Sequence, residues 1–293
     1  MIYEHPLAYL LGLEGIALLR SFGGEYGKEF TEARIAEVRK LLADERLADS
    51  AVPVERVDSN SGYRVWSRTY DAKPNTLFDF EEPIVRGFLA GREPGTALDA
   101  ACGTGRYAEH LAGLGHRVIG VDSSAEMLEH ARNRVPGAEF HLGSVTGIPL
   151  GDDSVDTVVC ALALVHIPEL EPVFAEFARV LRKGGRLIIS DLHQESVFRV
   201  LVPQVRDEQG SRGRLPAHRH LTGDYLRAAL APGFRVLDCA EPRGYPEPAP
   251  EAATGLGPWE LWPWSLAGLV REAASAARYG SPVTVVWHFE LTG

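Results

Sequence analysis

The sequence is poor in cysteine, in net positive charge and in long apolar runs. Three cysteines, Cys102, Cys160 and Cys239, occur among 293 residues. They stand far apart in apolar surroundings, and an odd number without framework spacing excludes a disulfide scaffold and points to reduced thiols. Acidic residues outnumber basic ones by 40 to 30, for a formal net charge of −10. A polyanionic partner requires basic patches, and no basic stripe with interleaved aromatics occurs, so no nucleic acid is expected. The apolar run from Leu7 to Leu19 is broken by Glu14 and preceded by Glu4 and His5. It has neither membrane-spanning length nor a basic leader. These absences lead to the expectation of a cytoplasmic protein that does not engage a membrane.

What is present is an ordinary globular composition, with 45% hydrophobic and 24% charged residues. The length suffices for one large α/β domain with additions or for two small domains. The centre of the chain is Pro94-Gly-Thr-Ala-Leu-Asp-Ala-Ala-Cys-Gly-Thr-Gly105. Thr96 to Asp99 reads as a short buried strand, Ala100 to Gly105 as a tight small-residue loop, and a helix opens near Arg106. Gly103 and Gly105 permit positive φ and leave no side chain between backbone and ligand. The helix N-terminus just beyond offers unpaired amides and a positive dipole end. This combination suits a nucleotide-like ligand.

From Thr96 to Asp191 strands and helices alternate, which implies a parallel sheet with right-handed crossovers. The predicted strands are Ala97–Asp99, Arg117–Val121, Ala138–Leu142, Val155–Cys160 and Arg186–Asp191. The predicted helices are Arg106–Leu114, Ala125–Arg134, a short piece near Val145–Ile148, and Glu171–Leu181. Ligands of such sheets bind beyond the strand C-termini, where Asp99, Asp122, Gly143 and Cys160 fall together. Further on come a helix N-capped near Thr222, a strand Phe234–Ala240, a stretch 241–264 dense in Pro, Gly and Trp, a helix from about Ser265 to Tyr279, and a last strand Val283–Leu291. At the other end, residues 1–62 read as two helices and a linker, either a packing or dimerisation extension or a cap over a substrate. Monomer and homodimer both remain open.

Two families fit the central loop. Gly103-x-Gly105-x-x-Ala108, with Asp122 ending the next strand, matches the dinucleotide fingerprint of Rossmann dehydrogenases. With Asp99, the same residues resemble the first motif of class I S-adenosylmethionine-dependent methyltransferases. Later stretches favour the second family. Phe-His-Leu-Gly143-Ser144-Val145-Thr-Gly-Ile-Pro149 resembles the segment with which methyltransferases clasp adenine, with Ser144 in place of the usual Asp. Asp152-Asp153-Ser-Val-Asp156-Thr-Val-Val-Cys160-Ala-Leu-Ala-Leu-Val-His166 resembles their fourth-strand signature. Phe177-Ala-Arg-Val-Leu-Arg-Lys-Gly184-Gly185-Arg-Leu-Ile-Ile-Ser resembles their next helix, glycine stop and fifth strand.

The resemblance covers about residues 63–291. It implies a seven-stranded, mostly parallel sheet with helices on both faces and an antiparallel last strand, over a domain 63–293. The segments 192–222 and 241–280 would then cover substrate. It also implies S-adenosylmethionine as cofactor, S-adenosylhomocysteine as product and a small-molecule acceptor, methylated at oxygen. Asp99, Ala100, Gly103 and Gly105 are expected around the methionine portion, Asp122 and Ser123 at the ribose, and Met127, Gly143, Ser144 and Val145 at the adenine. Ala161 is expected under the sulfonium, and Trp66 and Tyr70 on a segment that covers the cofactor. His166 and His193, at the ends of the fourth and fifth strands, are the candidate bases. His218-x-His220 has no third ligand in register, so no metal is expected. The alternative is a protein of this fold that binds the cofactor without transferring its methyl group.

Overall fold

The structure, a computed structural model, describes residues 1–67, 70, 76–206, 211–244 and 264–293. It divides into two compact units. One comprises 57–203, 215–242 and 282–293, and the other 1–56, 204–214 and 243–281.

The larger unit is built on a seven-stranded sheet. In chain order its strands are β1 (Thr96–Ala100), β2 (Arg117–Asp122), β3 (Glu139–Leu142), β4 (Val155–Ala161), β5 (Leu181–Leu192), β6 (Phe234–Ala240) and β7 (Thr284–Leu291). Across the sheet the order is β6-β7-β5-β4-β1-β2-β3. Pairing is parallel from β5 to β3, while β7 runs antiparallel to both its neighbours. The α/β architecture and the antiparallel last strand match the sequence expectation.

A strand sends successive side chains to opposite faces, and here both faces are apolar. Leu98, Val158, Leu187, Ile189, Val285 and Trp287 share one hydrophobic cluster with Phe174 and Phe177 of helix α5 (Glu171–Val180) and Tyr225 and Ala228 of α6 (Thr222–Leu230). Ala97, Val159, Ile188 and Val286 share the other with Val85 and Leu89 of α2 (Thr76–Leu89) and Tyr107, Ala108 and Leu111 of α3 (Arg106–Gly113). This two-sided burial explains why the central strands read as continuous apolar runs. At the foot of the sheet, Asp156 accepts the Thr96 amide at 2.8 Å and pairs with Arg182.

The unit also contains helices α1 (Ser59–Trp66) and α4 (Ala125–Arg134). The Ser124 hydroxyl caps α4 by accepting the Met127 amide. Helix α6 corrects one expectation, because Thr222 is its first residue and not its cap. The Asp224 carboxylate accepts the Leu221 amide at 2.8 Å instead.

The smaller unit packs helix Pro6–Phe22 against helices Lys28–Leu42 and Arg271–Arg278. Leu10, Ala17, Leu41, Val54, Ala273 and Ala274 lie in its core. A four-stranded sheet completes it, in the order Ile2–Glu4, Val52–Arg56, Arg212–Arg214, Gln204–Arg206. The stretch read as a linker over 51–62 therefore holds a strand and the start of α1. The unit boundary follows Arg56, and distant segments complete the N-terminal unit. The helix expected over 265–279 is a 3-10 turn, Trp264–Leu269, followed by the α-helix. Of the tryptophan-rich stretch 241–264, residues 245–263, with Trp259 and Trp262, lie outside the described residues.

Buried within the smaller unit, the Arg34 guanidinium reaches Glu272 at 2.7 Å, Glu37 at 2.9 Å and Glu14 at 3.6 Å. Burial pushes the Glu14 carboxyl up to about 8, against the pull of Arg34. Among the described residues no helix is long and apolar enough to cross a membrane.

Candidate active site

The register places Ala100, Val121 and Cys160 in one row at the C-terminal ends of β1, β2 and β4. The chain leaves the sheet there, and a cleft opens over the strand ends. Two non-glycine residues take left-handed backbone at this rim, Ala101 with φ 55° and Leu162 with φ 54°. Both line the cleft. Strained backbone of this kind persists where the surrounding structure holds it and concentrates at functional sites.

The two loop glycines have different work. Gly105, with φ 82°, is the last residue before α3, and a Cβ on it would stand 3.1 Å from the Cα and Cβ of Ala131 in α4. It permits close helix packing. Gly103, with φ 52°, has no atom within 4 Å of a Cβ position, and it borders the cleft.

Two carboxylates meet this loop. Asp99 is 2% exposed, and its Oδ2 accepts the Ala108 amide in the first turn of α3 at 2.7 Å. Burial pushes its carboxyl up to about 7, because the charged form loses more hydration than the amide returns. Asp122, at the end of β2, accepts the Gly103 amide at Oδ2, 2.7 Å, and the Ser124 amide at Oδ1, 2.8 Å. Burial raises its pKa as well, opposed by those amides. Each carboxylate oxygen carries two lone pairs, so Asp122 keeps capacity for further donors.

The wall over α3 is an ionic and aromatic network. Glu81 of α2, fully buried, accepts the Tyr107 hydroxyl at 2.6 Å and the Ser190 hydroxyl at 2.8 Å. Its other oxygen pairs with Arg106 at 2.8 Å, and Arg106 also pairs with Glu82. The Arg106 guanidinium lies 4.0 Å from the Phe78 ring centroid and 4.3 Å from that of Tyr107.

The opposite wall carries a hydrogen-bonded pair. His166 ends a 3-10 turn, Leu164–His166, just after β4. Its Nδ1 lies 2.8 Å from the Pro216 carbonyl oxygen and its Nε2 2.9 Å from the Tyr63 hydroxyl. A carbonyl only accepts, so Nδ1 carries the proton and Nε2 presents its lone pair to Tyr63. Burial lowers the His166 pKa, with His218 adding to the effect, and keeps the ring neutral. Burial raises the Tyr63 pKa strongly, so the phenol stays protonated and donates.

Of the residues singled out in the sequence, Asp99, Gly103, Asp122, Ser123, Gly143, Ser144, Val145, Ala161, Tyr70 and His166 line this one cleft. Four do not. Met127 is 1% exposed inside the core, and Ala100 is buried in the sheet. Gly105 acts behind the loop through α4. His193 caps the short helix Gln194–Phe198, accepting the Glu195 amide at Nδ1, with Nε2 3.1 Å from Glu241. Its two nitrogens are thus engaged away from the cleft. Trp66 stacks edge-on against Tyr63, 5.3 Å between centroids, instead of lining the cleft. Ser144 spends its hydroxyl on Thr146, at 2.9 Å from Oγ1.

Sequence reading missed Tyr63, Thr104, Arg106 and Tyr107, all of which line the cleft. Tyr63 stood in view, seven residues before Tyr70. Its partner His166 is 103 positions away, and no local pattern joins the two. All three cysteines are free thiols, Cys102 and Cys160 buried and Cys239 exposed. Among the described residues no group of three His, Cys, Asp or Glu side chains could hold a metal ion.

Comparison with known proteins shows what this arrangement is similar to. Residues 98–189 match the family described as "Methyltransferase domain". A malonyl-[acyl-carrier protein] O-methyltransferase of Yersinia pestis is 35% identical over 150 residues, 50% of this chain and 55% of that protein. The chain spans about half the length of the curated relatives it matches. Among solved structures, an S-adenosylmethionine dependent methyltransferase from Mesorhizobium loti superposes with TM-score 0.51 at 20% identity, covering 72% of this chain and 97% of that one. The [4+2]-cyclase SpnF superposes with TM-score 0.55 at 14% identity, covering 82% and 99%. Residues 98–189 thus match a methyltransferase domain and sit in a seven-stranded sheet with the class I fold seen in S-adenosylmethionine-dependent methyltransferases.

Proposed function

We propose that this protein transfers the methyl group of S-adenosylmethionine to an oxygen of a small-molecule acceptor, releasing S-adenosylhomocysteine. The observation that carries the reading is the neutral His166, held by Pro216 and facing the Tyr63 hydroxyl, in the same cleft as Asp99, Gly103 and Asp122.

The residues present fit the cofactor. Open space at Gly103 admits a ligand against the backbone. Asp99 is a buried carboxylate suited to an ammonium group, and the Arg106 guanidinium beside it suits a carboxylate. Asp122, with Ser123 next to it, receives the ribose hydroxyls. Gly143, Ser144 and Val145 border the adenine, Ala161 leaves room at the sulfonium, and Tyr70 covers the site. When bound, the cofactor supplies an electrophilic methyl group on a sulfonium.

The chain's own chemistry is proton removal, a general-base role suited to a neutral imidazole. The acceptor hydroxyl passes its proton to the Tyr63 oxygen as the Tyr63 proton moves to His166 Nε2. The other proton stays on His166 Nδ1, hydrogen-bonded to the Pro216 carbonyl. Beyond this step, in-line alignment supplies most of the rate.

The test is calorimetric titration with S-adenosylmethionine, S-adenosylhomocysteine and NAD in parallel, followed by labelled-methyl transfer to a panel of hydroxylated small molecules. Binding of the first two and transfer to oxygen support the reading. Binding of NAD alone, or of none of the three, overturns it. A second reading, cofactor binding without methyl transfer, draws on the likeness to the cyclase SpnF. Tight binding with no transfer to any acceptor would favour it.

A further inference from the structure

The pair His218-x-His220 does not line the cleft. It lies on a segment without regular secondary structure, 216–220, that contacts the turn carrying His166. A three-residue 3-10 turn has little stability of its own, and this one follows the left-handed Leu162. Every second residue of the segment binds it. The Pro216 carbonyl accepts a hydrogen bond from His166 Nδ1 at 2.8 Å. The His218 amide donates to the Val165 carbonyl at 2.7 Å. His220 Nε2 lies 3.1 Å from the Leu164 carbonyl oxygen and 2.9 Å from that of Ile167, so one imidazole clamps both ends of the turn.

Both of those partners are acceptors, so His220 Nε2 carries a proton and cannot serve a metal there. The ring itself is fixed from behind. It meets Tyr225 edge-on at 5.9 Å, and the Tyr225 hydroxyl donates to the buried Asp191 at 2.9 Å.

We propose that His220 is a positioning residue, which through the 164–167 turn holds His166 as its Nδ1–H tautomer with Nε2 aimed at Tyr63. Its catalytic meaning rests on the methyl-transfer reading, whereas its geometric content does not. Among the described residues, the titratable groups facing His166 are Tyr63 from α1 and His218 from the segment. His220, Tyr225 and Asp191 form the layer behind the turn.

The experiment is histidine ¹⁵N NMR on the full chain, comparing wild type, His220→Ala and His220→Gln, with the His166 signals assigned by loss in His166→Gln. In wild type, His166 should appear as a single Nδ1–H tautomer that titrates below the ordinary histidine range. In His220→Ala the tautomers should mix and the midpoint should move up toward that range. His220→Gln, whose amide can donate to the same carbonyls, should restore the wild-type signature. In the transfer assay, His220→Ala should lower kcat by up to about a hundredfold with KM for the cofactor unchanged, the cost of a misplaced catalytic group.

An unchanged tautomer and titration in His220→Ala overturns the proposal. If His220→Ala fails to fold, the decision passes to His220→Gln, where a folded protein with mixed tautomers overturns it equally. Failure of the wild type to bind S-adenosylmethionine would remove the methyl-transfer reading and leave the NMR result standing.

Discussion

The amide of Gly103 donates to Oδ2 of Asp122 at 2.7 Å, tying the loop after β1 to the end of β2. The loop that contains both glycines is thereby shaped by a residue of the next strand. This coupling makes the two glycines separable by experiment. Gly105→Ala forces a methyl group to 3.1 Å from Ala131 at φ 82°, so it should lower unfolding free energy by about 2 kcal/mol. Gly103→Ala meets no protein atom and should cost about 1 kcal/mol from its left-handed backbone alone. Its main effect should be weaker binding of S-adenosylmethionine. Denaturant unfolding and calorimetry on the two variants would separate these effects.

Asp99 should make cofactor affinity pH-dependent. Its carboxyl is pushed up to about 7 in the free protein, and an ammonium group needs the ionised form. Below pH 7, the Kd of S-adenosylmethionine should rise about tenfold per pH unit. Asp99→Asn should bind weakly at every pH, and calorimetry from pH 5.5 to 8 would read both outcomes.

Asp191 should set part of the pH profile of stability. It is fully buried, with its carboxyl pushed up to about 7 by desolvation. Between its unfolded value of 3.8 and about 7 the folded state binds more protons than the unfolded one. Stability from this group therefore falls as pH rises through that window. Asp191→Asn keeps an acceptor for the Leu192 amide and removes the titration. The variant should lose less Tm than wild type between pH 5 and pH 8 in thermal unfolding.

In the smaller unit, Arg34 holds Glu14, Glu37 and Glu272 together. Arg34→Leu leaves the buried Glu14 without its cation and should destabilise by about 3–5 kcal/mol. The loss should be larger at pH 9 than at pH 6, because Glu14, held near 8 even with Arg34 present, must then be charged. Urea unfolding at the two pH values would measure it.

Tyr63→Phe removes the hydroxyl that faces His166 and leaves the ring in place. Cofactor affinity should change by less than about threefold, whereas methyl transfer should fall by about 10²–10⁴, the range for loss of a general acid or base. Equal loss of binding and transfer would show that Tyr63 serves the cofactor instead.

The sequence by itself determined the sheet and several residues that line the cleft at its strand ends. Continuous apolar runs such as Leu187-Ile188-Ile189 specify strands buried on both faces. Asp99, Gly103 and Asp122 lie in local motifs whose spacing already implies strand, turn and helix. Tertiary structure decided what depends on residues far apart in the chain. Pro216 and Tyr63 meet His166 from distant segments, and the Pro216 carbonyl fixes its tautomer. The same helix-capping contacts that bury His193 remove it from the reacting groups, although its place at a strand end resembles that of His166. The N-terminal unit is not legible as a unit because its core is completed by residues such as Leu266, Ala273 and Ala277, and its sheet by Gln204–Arg206 and Arg212–Arg214. Local periodicity reports which face of a helix is apolar, and only folding selects the distant surface that covers it.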